Sequence, residues 1–499
     1  MGDVSFVLQT AITYLFDPIH LVFIAGGTVF GLIFGCLPGL SATMGVALMI
    51  PMTYSMDPAI ALGVMIGVYV GGIAGGAISA TLINIPGTPS SVVTSLDGYP
   101  MARKGQGARA LGWAAFASGW GSIVSWVLLI FLSTYLAKLC TAFGSPEYAA
   151  LAFFGLAVIA AVSGKSMTKG VIAGLLGVSL SFVGVDPIWG TMRFTYNNIN
   201  LMSGISTIPA MIGLYSIPQL LISCTDKTRD EKVVTRIRDI VPPLREQWAQ
   251  KVNIVRSALI GVVIGMVPAA GGNIAAFISY DWAKRFSKKP ETFGQGNYEG
   301  VVASEASNNG VCGGALIPLL TLGIPGDSVT AVLLGALMIH GLRPGSALFV
   351  EKPDVVIGLF TAFLIATIFM VLFQVVGVKF FVKVLNVPVH YLIPALTVLS
   401  LVGSFAIRNN YFDVILTLVI GTAGYLLKKG GFPTAPIVLG LVLGSMFEGE
   451  IRRAMKLSGG SMSIFFTNPV SCVIILVALV IIGYNVYKAA REAIAGAKK

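Results

Sequence analysis

The sequence contains few charged residues. Only 11% of its 499 residues are Asp, Glu, Lys or Arg, whereas soluble domains carry about 25%. Seven long segments contain none: residues 18–56, 58–96, 110–137, 194–225, 355–378, 384–407 and 457–487. Because a helix needs roughly 20 apolar residues to cross a membrane, this pattern predicts an all-α polytopic membrane protein with about 12 transmembrane segments. It excludes a soluble enzyme and a nucleic-acid-binding domain.

Cysteines and catalytic motifs are also scarce. The five cysteines have no paired spacing, which argues against disulfides and metal sites; they are Cys36, Cys140, Cys224, Cys312 and Cys472. His20, His340 and His390 lie near segment ends, where an interfacial position is expected. No HExxH, GxSxG or Walker A motif is present, so we predict neither an enzyme nor a nucleotide-driven pump, and no cofactor. Residues 1–6 carry no basic signal-peptide region, so we expect the first helices to be retained.

The charges that are present favour one sign. Lys and Arg number 33 against 22 Asp and Glu, and eight of the basic residues fall within residues 225–256. Basic loops stay in the cytoplasm. We therefore predict a first membrane repeat over residues 1–224, a cytoplasmic linker over 225–256 and a second repeat over 257–499. The basic C-terminus is also expected to be cytoplasmic, at a bacterial inner membrane.

Glycine is abundant, at 59 residues, and its placement is repeated. A Gly-x3-Gly-x2-Pro pattern at residues 31–38 recurs at residues 261–268, and an Ile-Pro-Gly sequence at residues 85–87 recurs at 324–326. Broken apolar segments at matching places in two halves indicate a transporter's binding site. The pattern predicts two structural repeats, which we expect to be inverted.

The first break of each repeat predicts a re-entrant hairpin. Residues 257–280 lie between two basic loops and are too short to cross a bilayer twice, so they are expected to enter and return on one side, with a tip near residues 268–273. In the first repeat, arms at residues 19–34 and 44–52 flank the corresponding break. The second tip has Ala269 after its proline, where the first has Gly39.

Each break frees a helix N-terminus, whose unpaired N–H groups and dipole favour anions. Hydroxyl and amide side chains gather at the same places, and no Lys or Arg lies nearby. The predicted substrate-binding residues are Pro38, Gly39, Ser41, Thr43, Asn84, Pro86, Gly87, Thr88, Ser90, Ser91, Gly271, Gly272, Pro325, Gly326 and Ser328. The alternative is that these hydroxyls only cap helices.

A coupling cation, Na⁺ or H⁺, is predicted at Asn273, Asn308, Asn309 and Asp327. Asp327 follows a Pro-Gly break, and intramembrane carboxylates often mark ion pathways; an ordinary N-cap is the alternative. Glu305, Asn308 and Asn309 share one helix face by their spacing. That face either lines the cavity, or Glu305 lies at the water interface without a specific role.

The chain resembles the large membrane subunit of the tripartite tricarboxylate transporters (TctA family). The resemblance is carried by residues 35–45, 84–91, 96–106, 305–309 and 314–326, in the same order. It implies a secondary transporter that takes up citrate or related carboxylates with a cation gradient. It also implies two partners, a small four-helix membrane subunit and a periplasmic solute-binding protein. Ala269 departs from the family's usual glycine.

Two other functions remain open from the sequence. An anion channel would use the same breaks as a filter and would show neither saturation nor accumulation. A docking or scaffold subunit would bind its partner and transport nothing.

Overall fold

The computed structural model describes residues 4–162, 166–186, 188–225, 240–268 and 270–496. Helices dominate this part of the chain. The first half contains α1 (Val4–Phe16), α2 (Pro18–Cys36), α3 (Ala42–Thr53), α4 (Pro58–Ile83), α5 (Val92–Met101), α6 (Gly107–Cys140), α7 (Ser145–Val162), α8 (Met167–Ser181), strands β1 (Gly184–Val185) and β2 (Met192–Arg193), α9 (Ile199–Met202) and α10 (Thr207–Thr225).

The second half begins after residues 226–239, which lie outside the described residues. It contains α11 (Leu244–Ala249), α12 (Lys251–Gly265), α13 (Gly271–Phe286), α14 (Tyr298–Leu322), α15 (Ser328–Ile339), α16 (Ser346–Glu351), α17 (Pro353–Val376), α18 (Val378–Leu385), α19 (Val389–Arg408), α20 (Tyr411–Lys429), α21 (Thr434–Leu457), α22 (Ile464–Thr467) and α23 (Pro469–Gly496). Short 3₁₀ turns precede α5 and α14, and a π turn joins α5 to α6.

Eight helical stretches in the described part of the chain are long and apolar enough to span a membrane, and six shorter apolar helices accompany them. The chain is therefore an all-α polytopic membrane protein, as predicted. Helix α2 has 19 residues, which at 1.5 Å per residue gives roughly 28 Å. That is longer than the arm predicted there, and α2 alone is long enough to cross the bilayer.

Glycines bring two helix pairs into backbone contact. In α2, a Cβ added to Gly31 would lie 2.4 Å from the carbonyl oxygen of Val68 in α4. In α12, a Cβ added to Gly261 would lie 2.2 Å from that of Ser307 in α14. Only glycine permits so close an approach. In lipid, where no hydrophobic effect drives helices together, such close backbone packing holds them to each other. The α2–α4 and α12–α14 pairs thus pack through corresponding positions.

Helices α4 and α14 cross at the centre and run in opposite directions. The Asn308 amide of α14 donates to the Ile73 carbonyl of α4 at 3.5 Å. Further along α14, Cys312 lies beside Tyr69, which is earlier in α4. Both helices are almost fully buried. The centre of the molecule is therefore an antiparallel pair, each member with its own Gly-packed neighbour.

Some predicted boundaries differ from the structure. Helix α8 ends at Ser181, and residues 184–193, which the sequence did not mark as strands, form a two-stranded antiparallel hairpin. Within the linker predicted over 225–256, residues 244–249 form α11 and residues 251–256 belong to α12. The predicted helix over 384–407 begins at residue 389, after the separate helix α18.

Candidate functional site

The two Ile-Pro-Gly breaks have the same backbone geometry. The residues that end α4 and α14, Asn84 and Gly323, both adopt left-handed conformations, with φ of 57° and 70°. A Cβ added to Gly87 would lie 1.8 Å from the Gly35 carbonyl oxygen, and one added to Gly326 would lie 2.2 Å from that of Gly265. Each break thus packs directly against the end of a helix of its own half, α2 in the first half and α12 in the second.

The helix that follows each break is capped in the same register. The Thr88 N–H donates to the Ser91 hydroxyl at 3.1 Å, and the Asp327 N–H donates to the Thr330 hydroxyl at 2.9 Å. Both pairs are three residues apart, as in a capping box. Capping hydrogen bonds are therefore present at the start of both helices. The caps differ in chemistry, because one begins with a hydroxyl and the other with a carboxylate.

The Ile-Pro-Gly break of the first half lies against the turn between α12 and α13. A Cβ added to Gly272, at the start of α13, would lie 3.2 Å from the Ser90 Cβ and 2.8 Å from the Asn308 Oδ1. Gly271 has φ of 69°, which permits the sharp turn into α13. The starts of two helices, from different halves, therefore lie side by side. We call Thr88, Ser90, Ser91, Gly271, Gly272 and Asn308 the neutral cluster.

The second break is enclosed around Asp327. Its side chain is 8% exposed, caps α15 through the Thr330 N–H at 2.7 Å, and accepts the Tyr69 hydroxyl of α4 at 2.7 Å. Helix α3, which follows the tip of the first hairpin, packs against α15. We call Tyr69, Asp327, Ser328 and Thr330 the acidic cluster.

The turn between α2 and α3 lies against α10. Gly39 has φ of 88°, and a Cβ there would lie 3.1 Å from the Gln219 amide nitrogen and 3.2 Å from the Ser223 hydroxyl. Ser41 caps α3 by accepting the Met44 N–H at 3.2 Å. Pro38 is half-buried beside Gly39, and Thr43 is buried in the first turn of α3.

The predicted residues do not all converge. Asn273 is exposed at the second tip, and Asn84 is exposed at the end of α4, whereas Pro325 and Gly326 are buried and Pro86 is half-buried. Asn309 is fully buried on α14 and donates to the Ser122 hydroxyl of α6 at 3.2 Å. The proposed cation ligands therefore divide between the acidic cluster and the face of α14. Residue 269 lies outside the described residues.

Glu305 is the polar residue whose environment the sequence did not reveal. It is completely buried in α14, so the alternative of an interfacial position is wrong. The Thr94 hydroxyl of α5 bonds to its Oε1, and the Ser118 hydroxyl of α6 donates to its Oε2 at 3.0 Å. The i, i+3, i+4 spacing of residues 305, 308 and 309 correctly placed them on one face, but spacing cannot tell whether that face is covered.

A groove of about 770 Å³ lies on the outer side of α12, away from both clusters. Its lining is almost wholly apolar apart from Lys251 and Arg256. It does not contain the hydroxyls and amides of the breaks. The neutral and acidic clusters are therefore identified by their polar groups and helix ends.

Comparison with known proteins gives the family. Residues 21–439 match the family described as the tripartite tricarboxylate transporter TctA family. An Agrobacterium vitis protein, described as an uncharacterized 52.8 kDa protein in the TAR-I ttuC′ 3′ region, is 35% identical over 408 residues, 80% of each chain. A second A. vitis protein, described as an uncharacterized protein in the TAR-II ttuC′ 3′ region, is 37% identical over 220 residues, 44% of this chain and 91% of that protein.

No solved structure matches the chain. The sequence match covers both glycine-packed helix pairs and both breaks. The chain therefore belongs to the tripartite tricarboxylate transporter TctA family.

Proposed function

We propose that this chain is the large membrane subunit of a tripartite secondary transporter. It takes up a tricarboxylate such as citrate, or a related carboxylate, with a cation gradient as the driving force. Its partners are a small four-helix membrane subunit and a periplasmic solute-binding protein that delivers the substrate. Membership of the TctA family supports a transport role within a multi-subunit system.

The observation that carries the proposal is the meeting of two helix starts at Ser90 and Gly272. Free N–H groups at helix N-termini bind carboxylates, and the helix dipoles favour negative charge by up to ~2 kcal/mol when partly buried. The neutral cluster adds hydroxyls and an amide. In the described part of the chain, no Lys or Arg side chain forms a hydrogen bond or ion pair with this cluster, so the site holds an anion without a fixed counter-charge.

The acidic cluster is suited to the coupling cation. Asp327 is a carboxylate at the start of α15, buried against Tyr69. A buried carboxylate favours a bound cation, since oxygen ligands suit Na⁺ and a proton neutralises the charge directly. The proposed coupling site uses Asp327 here, with Asn308, Asn309 and Asn273 towards the neutral cluster.

The same geometry supports the proposal of inverted repeats. The Gly31–Val68 and Gly261–Ser307 contacts are related by offsets of 230 and 239 residues, as are the contacts of Gly35 and Gly265 with their breaks. The antiparallel crossing of α4 and α14 supports an inverted arrangement. Helices at the midplane with this relation are a feature of alternating-access transporters.

The proposed orientation places the basic loops in the cytoplasm of a bacterial inner membrane. Pairs of contacts agree with it. Near the end of α20, Lys428 donates to the Gln219 side chain, which lies near the end of α10. At the opposite ends of the same two helices, Arg408, just before α20, donates to the Ser203 hydroxyl, just before α10. Helices α10 and α20 therefore run in parallel and end on the same side, beside the basic linker, and crossings by α21 and α23 would then lead to a cytoplasmic tail.

Uptake by the reconstituted complex tests the function. The complex in proteoliposomes is given a panel of labelled carboxylates while Na⁺ and pH gradients are imposed separately. We expect saturable accumulation driven by one of the gradients. Flux without saturation or accumulation would instead indicate a channel, and binding of the solute-binding protein without flux would indicate a docking subunit.

A further inference from the structure

We propose that the coupling residues divide into two monovalent-cation sites: Asp327 in the acidic cluster binds one cation, and Glu305, with Asn308 and Asn309, binds a second. The cation bound there moves with the carboxylate. This proposal rests on the proposed function and specifies how its coupling is divided. Neither the sequence pattern nor the family match assigns a cation-binding role to Glu305.

Glu305 needs a positive partner. Its side chain is fully buried in the middle of α14, and it forms no ion pair among those of the described residues. An unpaired charge at such a position costs several kcal/mol, which two hydroxyl hydrogen bonds only partly offset. The group is stable when a cation or a proton neutralises it.

Oxygen atoms suited to a cation surround this carboxylate. Thr94 and Ser118 place hydroxyls on its two oxygens, and the Ser304 hydroxyl lies 3.0 Å from that of Thr94. The side-chain oxygens of Asn308 and Asn309 are buried and have no hydrogen-bond partner in the structure. Buried amide oxygens are normally satisfied. Two unsatisfied ones on the helix face that carries Glu305 are an independent indication of a position that can bind a cation.

In the described part of the chain, the elements that hydrogen-bond to this face of α14 present hydroxyl groups. Helix α6 presents Ser118 and Ser122, and α5 presents Thr94. One turn further along α5 lies Asp97, which is already engaged by the Tyr280 hydroxyl at 2.8 Å and by backbone N–H groups of residues 294, 296 and 297. Asp97 therefore fastens a loop, and Glu305 is the carboxylate left to bind a cation.

Asn308 connects this carboxylate to the neutral cluster. Its amide lies beside Glu305, and its Oδ1 faces Gly272, where an added Cβ would approach to 2.8 Å. A cation at Glu305 would thus be separated from the substrate by one side chain. That arrangement links occupancy of the two sites, because the cation and the anion each reduce the electrostatic cost of burying the other.

A second cation also meets a charge requirement. A negative cell interior opposes the entry of a carboxylate with two or three negative charges. Each cation that enters with the carboxylate reduces this opposition. Asp327 and Glu305 provide two separate carboxylates for this purpose.

The test measures the number of cations moved per citrate. Wild-type and Glu305→Gln complexes in proteoliposomes are held at opposing citrate and cation gradients, and the cation ratio that stops net citrate flux is determined. One arm uses Na⁺ gradients at equal pH, and the other uses pH gradients without Na⁺. We expect the variant to move one cation fewer in the arm that drives wild type. An unchanged stoichiometry in that arm would overturn the proposal.

Two further variants complete the test. Glu147→Gln changes another buried carboxylate, which bonds to the Gly144 N–H at 2.7 Å far along the chain from this site, and should keep the wild-type stoichiometry. If Glu305→Gln does not fold, Ser118→Ala decides: it should raise the half-saturating cation concentration several-fold more than the citrate KM, and equal or absent changes would overturn the site. Wild type without gradient-driven flux would refute the proposed function itself.

Discussion

The breaks at residues 85–91 and 324–330 share a backbone conformation and differ in the side chains that begin the next helix. Each follows a left-handed cap, presses a glycine onto the end of a neighbouring helix, and starts a new helix with a capping pair. Thr88, Ser90 and Ser91 lie at one break, and Asp327, Val329 and Thr330 lie at the corresponding positions of the other. One repeated scaffold thus presents hydroxyls at one break and a carboxylate at the other, and the proposed division into anion and cation binding depends on that difference.

The largest effect is expected where the two breaks are most alike. Gly87→Ala and Gly326→Ala should each destabilise the protein by ~3 kcal/mol or more, because the new Cβ meets a backbone oxygen that cannot move aside. Thermal unfolding of purified protein and the yield of monodisperse material measure this. Gly26→Ala is the control, since no atom lies within 4 Å of its Cβ position. Tolerance of only one of the two substitutions would break the structural comparison.

The next effect concerns the residue in which the breaks differ. Asp327→Asn should lower gradient-driven uptake at least about tenfold, a change equivalent to ~1.4 kcal/mol, because the variant keeps the cap's shape and loses its charge. Tyr69→Phe removes the 2.7 Å hydrogen bond to Asp327 and should weaken cation dependence in the same direction. Uptake assays over a range of cation concentrations give both results. Wild-type cation dependence in Asp327→Asn would remove it from the coupling site.

A smaller effect is expected at the neutral cluster. Gly272→Ala would bring a Cβ to 2.8 Å from the Asn308 Oδ1, an atom at the end of a side chain that can shift. We expect a several-fold rise in the carboxylate KM and little change in stability. Ile274→Ala, at an exposed position in the same helix, should leave KM unchanged. An unaltered KM in Gly272→Ala would place the substrate elsewhere.

The smallest effect on transport is expected outside both breaks. In the loop between β1 and β2, hydrogen bonds from the Ile188 and Trp189 N–H groups, aided by Arg452, lower the pKa of Asp186 to about 2. The unfolded value is about 3.9. Because the folded pKa is the lower one, the stabilisation is complete above pH ~4 and is lost as the pH falls through about 2.

Asp186→Asn should therefore loosen this loop at neutral pH as acid does in the wild type. Limited proteolysis between residues 184 and 193 measures the change, while uptake at neutral pH should stay at the wild-type level. Cleavage of wild type and variant at equal rates at neutral pH would contradict the role given to Asp186.

Much of the fold follows from local sequence. The uncharged segments predicted α6 and α17 to within a few residues, and the repeated Gly and Pro positions located all four breaks. Pairings between distant residues could not be predicted in this way. Tyr69 and Asp327 are 258 residues apart, and the approach of Gly272 to Ser90 joins the two halves. No local pattern encodes such contacts, because they depend on how the helices pack.

The hairpin at residues 184–193 illustrates a second limit. Its strands have two residues each, too short for a period-two pattern to be recognised. Ion pairs of Arg193 with Glu448 and of Asp186 with Arg452 hold it against α21, and these too join distant segments. For Glu305, the sequence identified the face but not the helices α5 and α6 that cover it.

The most direct test of the division between the two breaks compares Thr88→Ala with Asp327→Asn in the reconstituted complex. Initial uptake rates are measured over a grid of citrate and cation concentrations, which yields the citrate KM and the half-saturating cation concentration for each protein. We predict that Thr88→Ala raises mainly the citrate KM, and that Asp327→Asn changes mainly the cation dependence. If both variants shift the same constant to the same extent, the breaks do not divide anion and cation binding between them.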